Sequence, residues 1–594
     1  MARQTRAKSK DNDADRYLKL INLGIALSAE LDHDRLMEMI LVDAKELCNA
    51  DGGTLYLYSD DDDALSFRIV RNDSLNIAMG GTTGVEIPFP PLKLHDPETG
   101  EANHHNVATH VALTGQTIAI EDAYASTDFD FSGTRKFDEG TGYRSTSFLT
   151  VPLKNHEEEV IGVLQLLNAQ DAKGKVVPFG DEIRPLIEAL ASQAAVSLNN
   201  QMLIQAQKDL LDAFIELIAG AIDSKSPYTG GHCQRVPELT KMLTRAACDD
   251  KDKFRDFDLT EDEWYELHIA AWLHDCGKVT TPEYVVDKAT KLETIYDRIH
   301  EVRARFEILK RDAEIAALKA QLAGGDEKKL RADLEKAWAE LDDDFAFIAE
   351  CNIGGEFMAP EKVERVKQIA SKTWIRTLDD RLGISYDEAK RKERKPARPL
   401  PAEEKLLDDR EDHIIHREAV DLMPPDNKWG FKMAVPAHKY NLGEVYNLSI
   451  ARGTLTAEER YKINDHIVQT IIMLEALPFP RHLRRVPEFA GGHHEKMDGT
   501  GYPKRLNGAE MSIPARVMAI ADIFEALTAA DRPYKAPKKL SEAVKIMSFM
   551  EKDAHIDPDL FRLFLEAGVY KEYAERFLDP GQIDEVDIGA YVAA

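Results

Sequence analysis

The spacing of apolar positions changes several times along the chain, and each change marks an element. From about residue 15 to 50, Leu18, Leu20, Ile21, Leu23 and Ala26, then Leu36, Met37, Ile40, Leu41 and Ala44, recur at helical spacing. Asp32-His33-Asp34 between them supplies a helix cap. The period then falls to two. Gly53 to Tyr58 and Leu65 to Val70 read as strands about a turn at Asp60 to Asp63. Ser147 to Leu153 and Val160 to Leu167 read as a second pair, joined by the charged turn Lys154 to Glu159. A helix beginning near Asp181 follows. Helices on one side of an antiparallel sheet predict an α+β domain. From Ile183 to Ile222 the apolar residues recur at three and four, which predicts one long helix. Its stripe suits a two-stranded coiled coil between domains, or equally a closing helix that runs on into the next domain. Beyond it the pattern is mainly helical.

Within that helical part, an apolar run from Ala270 to Leu273 ends in His274-Asp275, followed by Gly277 and Lys278. A neutral imidazole beside a carboxylate suits a borderline divalent metal, and a lysine adds a point charge for phosphate. Four more patches carry related chemistry. His232 opens a helix after the turn cluster Pro227 to Gly231. His466 sits on an amphipathic helix. His493 and His494 precede a glycine-rich loop ending in Gly501-Tyr502-Pro503. Asp522 lies in the apolar run Val517 to Phe524, where a carboxylate is costly to bury unless paired or metal-bound. Together these give five imidazoles and two carboxylates, enough for two metals.

Composition narrows the function classes. The 594 residues are 43% apolar and 30% charged, which supports two or three folded domains. A net charge of −29 argues against a general nucleic-acid binder. Five scattered cysteines fit a reducing compartment without a disulfide framework. The first residues lack an apolar signal core, and no run of 18 apolar residues exists, so we expect a cytoplasmic protein without a membrane span.

Two family resemblances follow from these residues. The order of helices and strands, with Val111-Ala-Leu-Thr-Gly115 before Ile118-Ala-Ile120 and Gly162-Val-Leu-Gln-Leu-Leu-Asn168 after Ser147 to Leu153, resembles a GAF domain. The resemblance implies a small-ligand sensor. A cyclic nucleotide is one candidate, although Asn168 is followed by Ala169; a ligand-free scaffold is the alternative.

The second resemblance is to the HD-GYP domain, a branch of the HD phosphohydrolases. Gly231-His232 with Arg235-Val236, His274-Asp275-Cys276-Gly277-Lys278, His466, His493-His494-Glu495 through Gly501-Tyr502-Pro503, and Asp522 before Arg532-Pro533-Tyr534 occur in the family's order. The resemblance implies a metal-dependent phosphodiesterase that hydrolyses cyclic di-GMP to pGpG, with GMP after a second cut. It implies metal ligands His232, His274, Asp275, His466, His493, His494 and Asp522, with Asp275 bridging two divalent ions. Iron or manganese is favoured, and nickel or zinc is tolerated. It implies Lys278 on the scissile phosphate, and Tyr502, Arg532 and Lys535 on the substrate. Tyr228 stands where some members have a third-metal glutamate, so two ions are expected. Cys276 replaces an apolar residue.

The family spaces the His-Asp pair and the next histidine closely, whereas here Asp275 and His466 are far apart. Residues 288–452 therefore read as an insertion. It opens with a long helix through Leu292, Ile299, Val302 and Phe306, broken at Gly324-Gly325. A second helix, Lys328 to Leu341, folds back as a hairpin. A basic proline-rich loop runs from Arg391 to Pro401, and His413 and His416 lie on a solvated helix.

The expected organisation is mainly α. A disordered tail (1–14) precedes an α+β GAF-like domain (15–185) and a linking coiled-coil helix (186–212). An all-α HD-GYP domain (213–287 and 453–594) carries the helical insertion (288–452). A homodimer is expected. Two rivals to cyclic di-GMP hydrolysis are cleavage of another cyclic dinucleotide, such as cyclic GMP-AMP, and a non-catalytic cyclic di-GMP receptor.

Overall fold

The computed structural model describes residues 18–59, 63–225, 231–355, 357–423, 426–530 and 537–592. The expected tail, Tyr228, Arg532 and Lys535 lie outside the described residues. The chain divides into two compact units, residues 1–211 and 212–594.

In the first unit, helix α1 (18–29) and α2 (His33–Cys48) precede strands β1 (Ala50–Ser59), β2 (Ala64–Asn72), β3 (Ile77–Gly80) and β4 (Leu92–Lys93). Helix α3 (Val107–Thr114), β5 (Ile118–Ile120), α4 (Ser132–Thr141), β6 (Phe148–Lys154), β7 (Val160–Gln170) and β8 (Val176–Val177) follow. The sheet order is β3-β2-β1-β7-β6-β5, with β4 on β2 and β8 on β7, and every pairing is antiparallel. Asp32 caps α2 by accepting from the Arg35 amide at 2.7 Å. Apolar residues of α1, α2 and the following helix α5 (Arg184–Lys225) bury one face against Leu55, Leu57, Leu149, Val151, Leu164 and Leu166.

Helices were expected on one side of the sheet. The other face is covered as well: Tyr56, Leu65 and Val163 pack against Ala108 and Val111 of α3. Strand β1 is buried at eight consecutive positions, which a one-sided sheet would not allow. Beside this second face lies a cavity of about 360 Å³, lined by Tyr56, Phe67, Phe89, Phe137 and Phe148 with Asn72 and Gln165 as polar partners.

The second unit is helical. Helices α6 (His232–Asp249) and α7 (Glu261–Leu273) lead into a 3-10 turn (Cys276–Thr280) and α8 (Glu283–Val286). Helices α9 (Ile299–Leu322) and α10 (Glu327–Ile353) form the expected antiparallel hairpin, held by Phe306 on Phe345 and by the Lys310–Asp342 ion pair at 2.7 Å. Helix α10 runs past Leu341 because Phe347, Ile348 and Cys351 join a core with Ile299, Val302 and Phe306. Next come α11 (Pro360–Ala370), β9 (Thr373–Arg376), α12 (Tyr386–Lys392), β10 (Ala402–Lys405), β11 (Ile414–His416), β12 (His438–Asn441) and α13 (Glu444–Leu448). His413 and His416 are not on a helix. A 3-10 turn (Glu411–His413) and β11 carry them, because Ile414 and Ile415 pair with β12.

Helices α14 (Ala457–Glu475), α15 (Val486–Gly491), α16 (Ile513–Thr528), α17 (Leu540–Lys552), α18 (Pro558–Glu566), α19 (Val569–Phe577) and α20 (Gly589–Val592) follow. Val236, Leu239 and Leu243 of α6 pack with Val517, Ile520 and Phe524 of α16 and with Phe561, Phe564 and Tyr573. Thr456 and Glu459 form a capping box at the start of α14. The same Glu459 carboxylate meets buried Lys288 at 2.8 Å through both oxygens. Among the described residues, no helix is long and apolar enough to cross a membrane.

Candidate metal centre

Five elements bring the predicted ligands together. His232 begins α6, His274 caps α7 and Asp275 follows it. His466 lies mid-way along α14, His493 and His494 follow α15, and Asp522 is on α16. Two groups form, His232 with His274, Asp275 and Asp522, and His466 with His493 and His494; within each group the ligand atoms lie within 4.8 Å of one another. Asp275 faces both. Its Oδ2 is 3.3 Å from Nε2 of His232 and of His274, while its Oδ1 is 3.2 Å from Nε2 of His466.

Local sequence explains this meeting. A Cβ on Gly277 would fall on the carbonyl oxygen of His466 and lie 2.6 Å from the Thr470 amide. Glycine thus lets the turn after Asp275 press against α14, and its own N–H donates to Thr470 Oγ1 at 2.9 Å. Gly501 allows a similar close approach beside Glu495 and Lys496. Glu495 is buried and accepts from the amides of Lys504, Arg505 and Leu506 at 2.6, 3.1 and 2.9 Å. That carboxylate fixes the Gly-Tyr-Pro loop, and the Tyr502 ring stacks on His494 with centroids 4.9 Å apart.

The imidazoles are oriented for ligation. Nδ1 of His274, His466 and His493 meets the carbonyls of Ala271, Ile463 and Ala490 at 2.7, 2.5 and 2.7 Å. A carbonyl accepts and cannot donate, so each Nδ1 carries hydrogen and each ring turns its Nε2 inward. Nε2 of His232, His274 and His493 is buried and has no hydrogen-bond partner among the described residues. Buried polar atoms are normally paired. The donor set of imidazoles and carboxylates fits two borderline divalent ions.

The electrostatics differ between the two groups. Burial holds His493 down to about 4, and His494 also well below the usual histidine range, so both rings are neutral. For His232, burial opposes charge, but Asp275, Asp522 and Glu525 outweigh it and raise the pKa. Asp275 is buried, yet Lys278 and His274 hold its carboxyl well below the ordinary value. Lys278 rests on Asp275 Oδ2 with its side chain 29% exposed. A cavity of about 580 Å³ opens from His493, His494 and Asp522 past Tyr502, Lys496, Arg460 and Asn464.

Glu525 was missed in the sequence. It accepts from His232 Nδ1, and its other oxygen lies 2.6 Å from Arg235. The available signal was spacing: Glu525 follows Asp522 by one helical turn, as Arg235 follows His232.

Fold and site define the class: an α+β domain followed by a helical domain with a buried His-Asp cluster able to hold metal. The comparisons agree. Residues 32–198 match the GAF domain model and residues 401–560 match an HD domain model. The chain thus has a region like a GAF domain followed by a region like an HD domain. Three relatives illustrate the likeness. "3'3'-cGAMP-specific phosphodiesterase 1" of Vibrio cholerae is 46% identical over 76 residues, 13% of this chain and 17% of that protein. "3'3'-cGAMP-specific phosphodiesterase 3" of the same organism is 40% identical over 118 residues, 19% of this chain and 24% of that protein. "Cyclic di-GMP phosphodiesterase PA4108" of Pseudomonas aeruginosa is 41% identical over 95 residues, 16% of this chain and 22% of that protein. The chain thus spans less than a quarter of each of these relatives' lengths.

Proposed function

We propose that the chain is a metal-dependent cyclic dinucleotide phosphodiesterase that cuts cyclic di-GMP to linear pGpG in the cytoplasm. The observation that carries this reading is Asp275, whose two oxygens face separate histidine clusters. His232, His274, Asp275 and Asp522 would hold one ion, and Asp275 with His466, His493 and His494 the other. Such ions, when bound, supply Lewis acidity and a water acidic enough to attack phosphorus near neutral pH. Lys278 places an ammonium beside Asp275, suited to offset charge on the phosphoryl oxygens. Tyr502 forms a wall against which the substrate lies. Arg532 and Lys535 belong to the same reading as phosphate or base contacts.

A second reading keeps the chemistry and changes the substrate to cyclic GMP-AMP, favoured by the names of two relatives. One assay separates these from a non-catalytic receptor: metal-loaded protein is incubated with each cyclic dinucleotide and linear products are followed. Tight binding of intact cyclic di-GMP without product would refute the enzyme.

The GAF domain would regulate this centre through a small ligand in the aromatic cavity of about 360 Å³, a volume typical of ligand pockets. Residues 288–452 would form an insertion in the HD-GYP domain. The linking helix would pair with a second copy, since Met202, Leu203, Leu210, Phe214 and Leu217 are exposed along α5. Sedimentation of the intact chain tests the dimer.

A further inference from the structure

Beside the metal-centre cavity lies a second one of about 600 Å³. Arg460, Asn464 and Tyr502 line both, forming the ridge between them. The second cavity is lined by three arginines, Arg452, Arg460 and Arg505, and by no carboxylate. None of the three guanidinium groups has an ion pair among the described residues. In a chain of net charge −29, a cavity with three unneutralised guanidinium groups is an anion site in chemical character.

Its far wall comes from Met433, Ala434 and Pro436. Phe431 buries itself on Val468 and Ile471 of α14, with Met433 packed beside it. The Lys432 amide donates to the Pro503 carbonyl at 2.7 Å. The segment is therefore fastened both to the helix that carries His466 and to the Gly-Tyr-Pro loop.

We propose that Arg460 grips the second phosphate of the cyclic dinucleotide, the one away from the metals, and that the cavity walled by 433–436 receives the nucleotide beyond it. This rests on the proposed activity. A cyclic dinucleotide has two phosphates on opposite sides of one ring, so a substrate with one phosphate at the metal cluster has its other elsewhere in the cavity that Arg460 lines. A guanidinium on the shared ridge meets it with a two-pronged hydrogen bond. The segment then contributes to choosing which cyclic dinucleotide fits.

The test compares two substrates on the intact, metal-loaded chain. Cyclic di-GMP carries the second phosphate, and bis(p-nitrophenyl) phosphate is a lone diester. Arg460→Ala should lower kcat/KM for cyclic di-GMP at least tenfold more than for the lone diester, chiefly through KM, and Arg460→Lys should recover part of the loss. Equal losses on both substrates, or none, overturn the subsite while leaving the enzyme. If the unaltered chain cleaves the lone diester but no cyclic dinucleotide, the proposed substrate class falls and the subsite with it.

Discussion

Glu525 accepts from Nδ1 of His232 while its other oxygen lies 2.6 Å from Arg235, so one carboxylate locks a predicted ligand to its own helix. Such outer partners set ring orientation and basicity. Glu525→Gln keeps the shape and removes the charge, and should weaken metal retention about 10–100-fold. Chelator competition measures this. Unchanged retention would reduce Glu525 to packing.

Asp275→Asn should strip metal from both clusters together, because the two oxygens face different histidine groups. Turnover should fall by more than the roughly 100-fold typical of losing an outer partner. Elemental analysis beside a product assay reads both. A variant that keeps one full cluster and normal rates would refute the shared role.

Gly277→Ala places a methyl group on the His466 carbonyl. The turn or α14 must shift, at a cost of about 1–3 kcal/mol or more. Lower thermal stability and lower metal content should appear in the same variant. A full metal complement with unchanged Tm would show that the turn can yield.

The site was legible in the sequence to the extent that chemistry lies in residue types. Histidines at 232, 274, 466, 493 and 494 stood at helix ends or on amphipathic faces, and Asp522 stood out by its apolar neighbours. Glu525 did not, because a charged residue three positions on looks like any helical surface pair until α6 is laid against α16. The GAF strands with alternating residues were legible. Helix α4 was not: Ser132-Gly-Thr-Arg-Lys-Phe-Asp-Glu-Gly-Thr141 has no apolar stripe, and its hold comes from elsewhere. There Asp138 accepts from Tyr124 Oη and from the Ser145 amide, both at 2.8 Å. The fold of residues 288–452 beyond its hairpin was also hidden. It is held by pairs distant in sequence, such as Arg305 of α9 on both oxygens of Glu444 of α13 at 2.9 and 2.8 Å.

Lys288 and Glu459 are nearly inaccessible, with side chains 1% and 4% exposed. Burial lowers the Lys288 pKa despite its partner. Lys288→Met leaves a buried carboxylate alone and should cost about 3–5 kcal/mol. Adding Glu459→Gln, which preserves the capping pattern at Thr456, should restore much of it. Denaturant titration of the pair and each single variant gives the coupling. Additive losses would mean the two groups act independently.

His413 is held down to about 4, first by burial and then by Arg410. Its Nδ1 accepts the Arg410 amide at 3.3 Å, which a protonated ring cannot do. The unfolded chain binds that proton near pH 6.5, so stability is intact above this value and declines as pH falls toward about 4. His413→Asn should flatten the decline in that window, read as Tm against pH. An unaltered slope would assign the acid sensitivity elsewhere.

Because the first three ligands precede residue 276 and the remaining four follow residue 465, a growing polypeptide carries an unfinished half-centre for much of its synthesis. The intervening stretch has its own apolar nucleus around Ile299, Phe306 and Ile348, and must be made before α14 can close on the turn at Gly277. Neither proposed ion site therefore has its full donor set until α14 and a later ligand-bearing segment have been made.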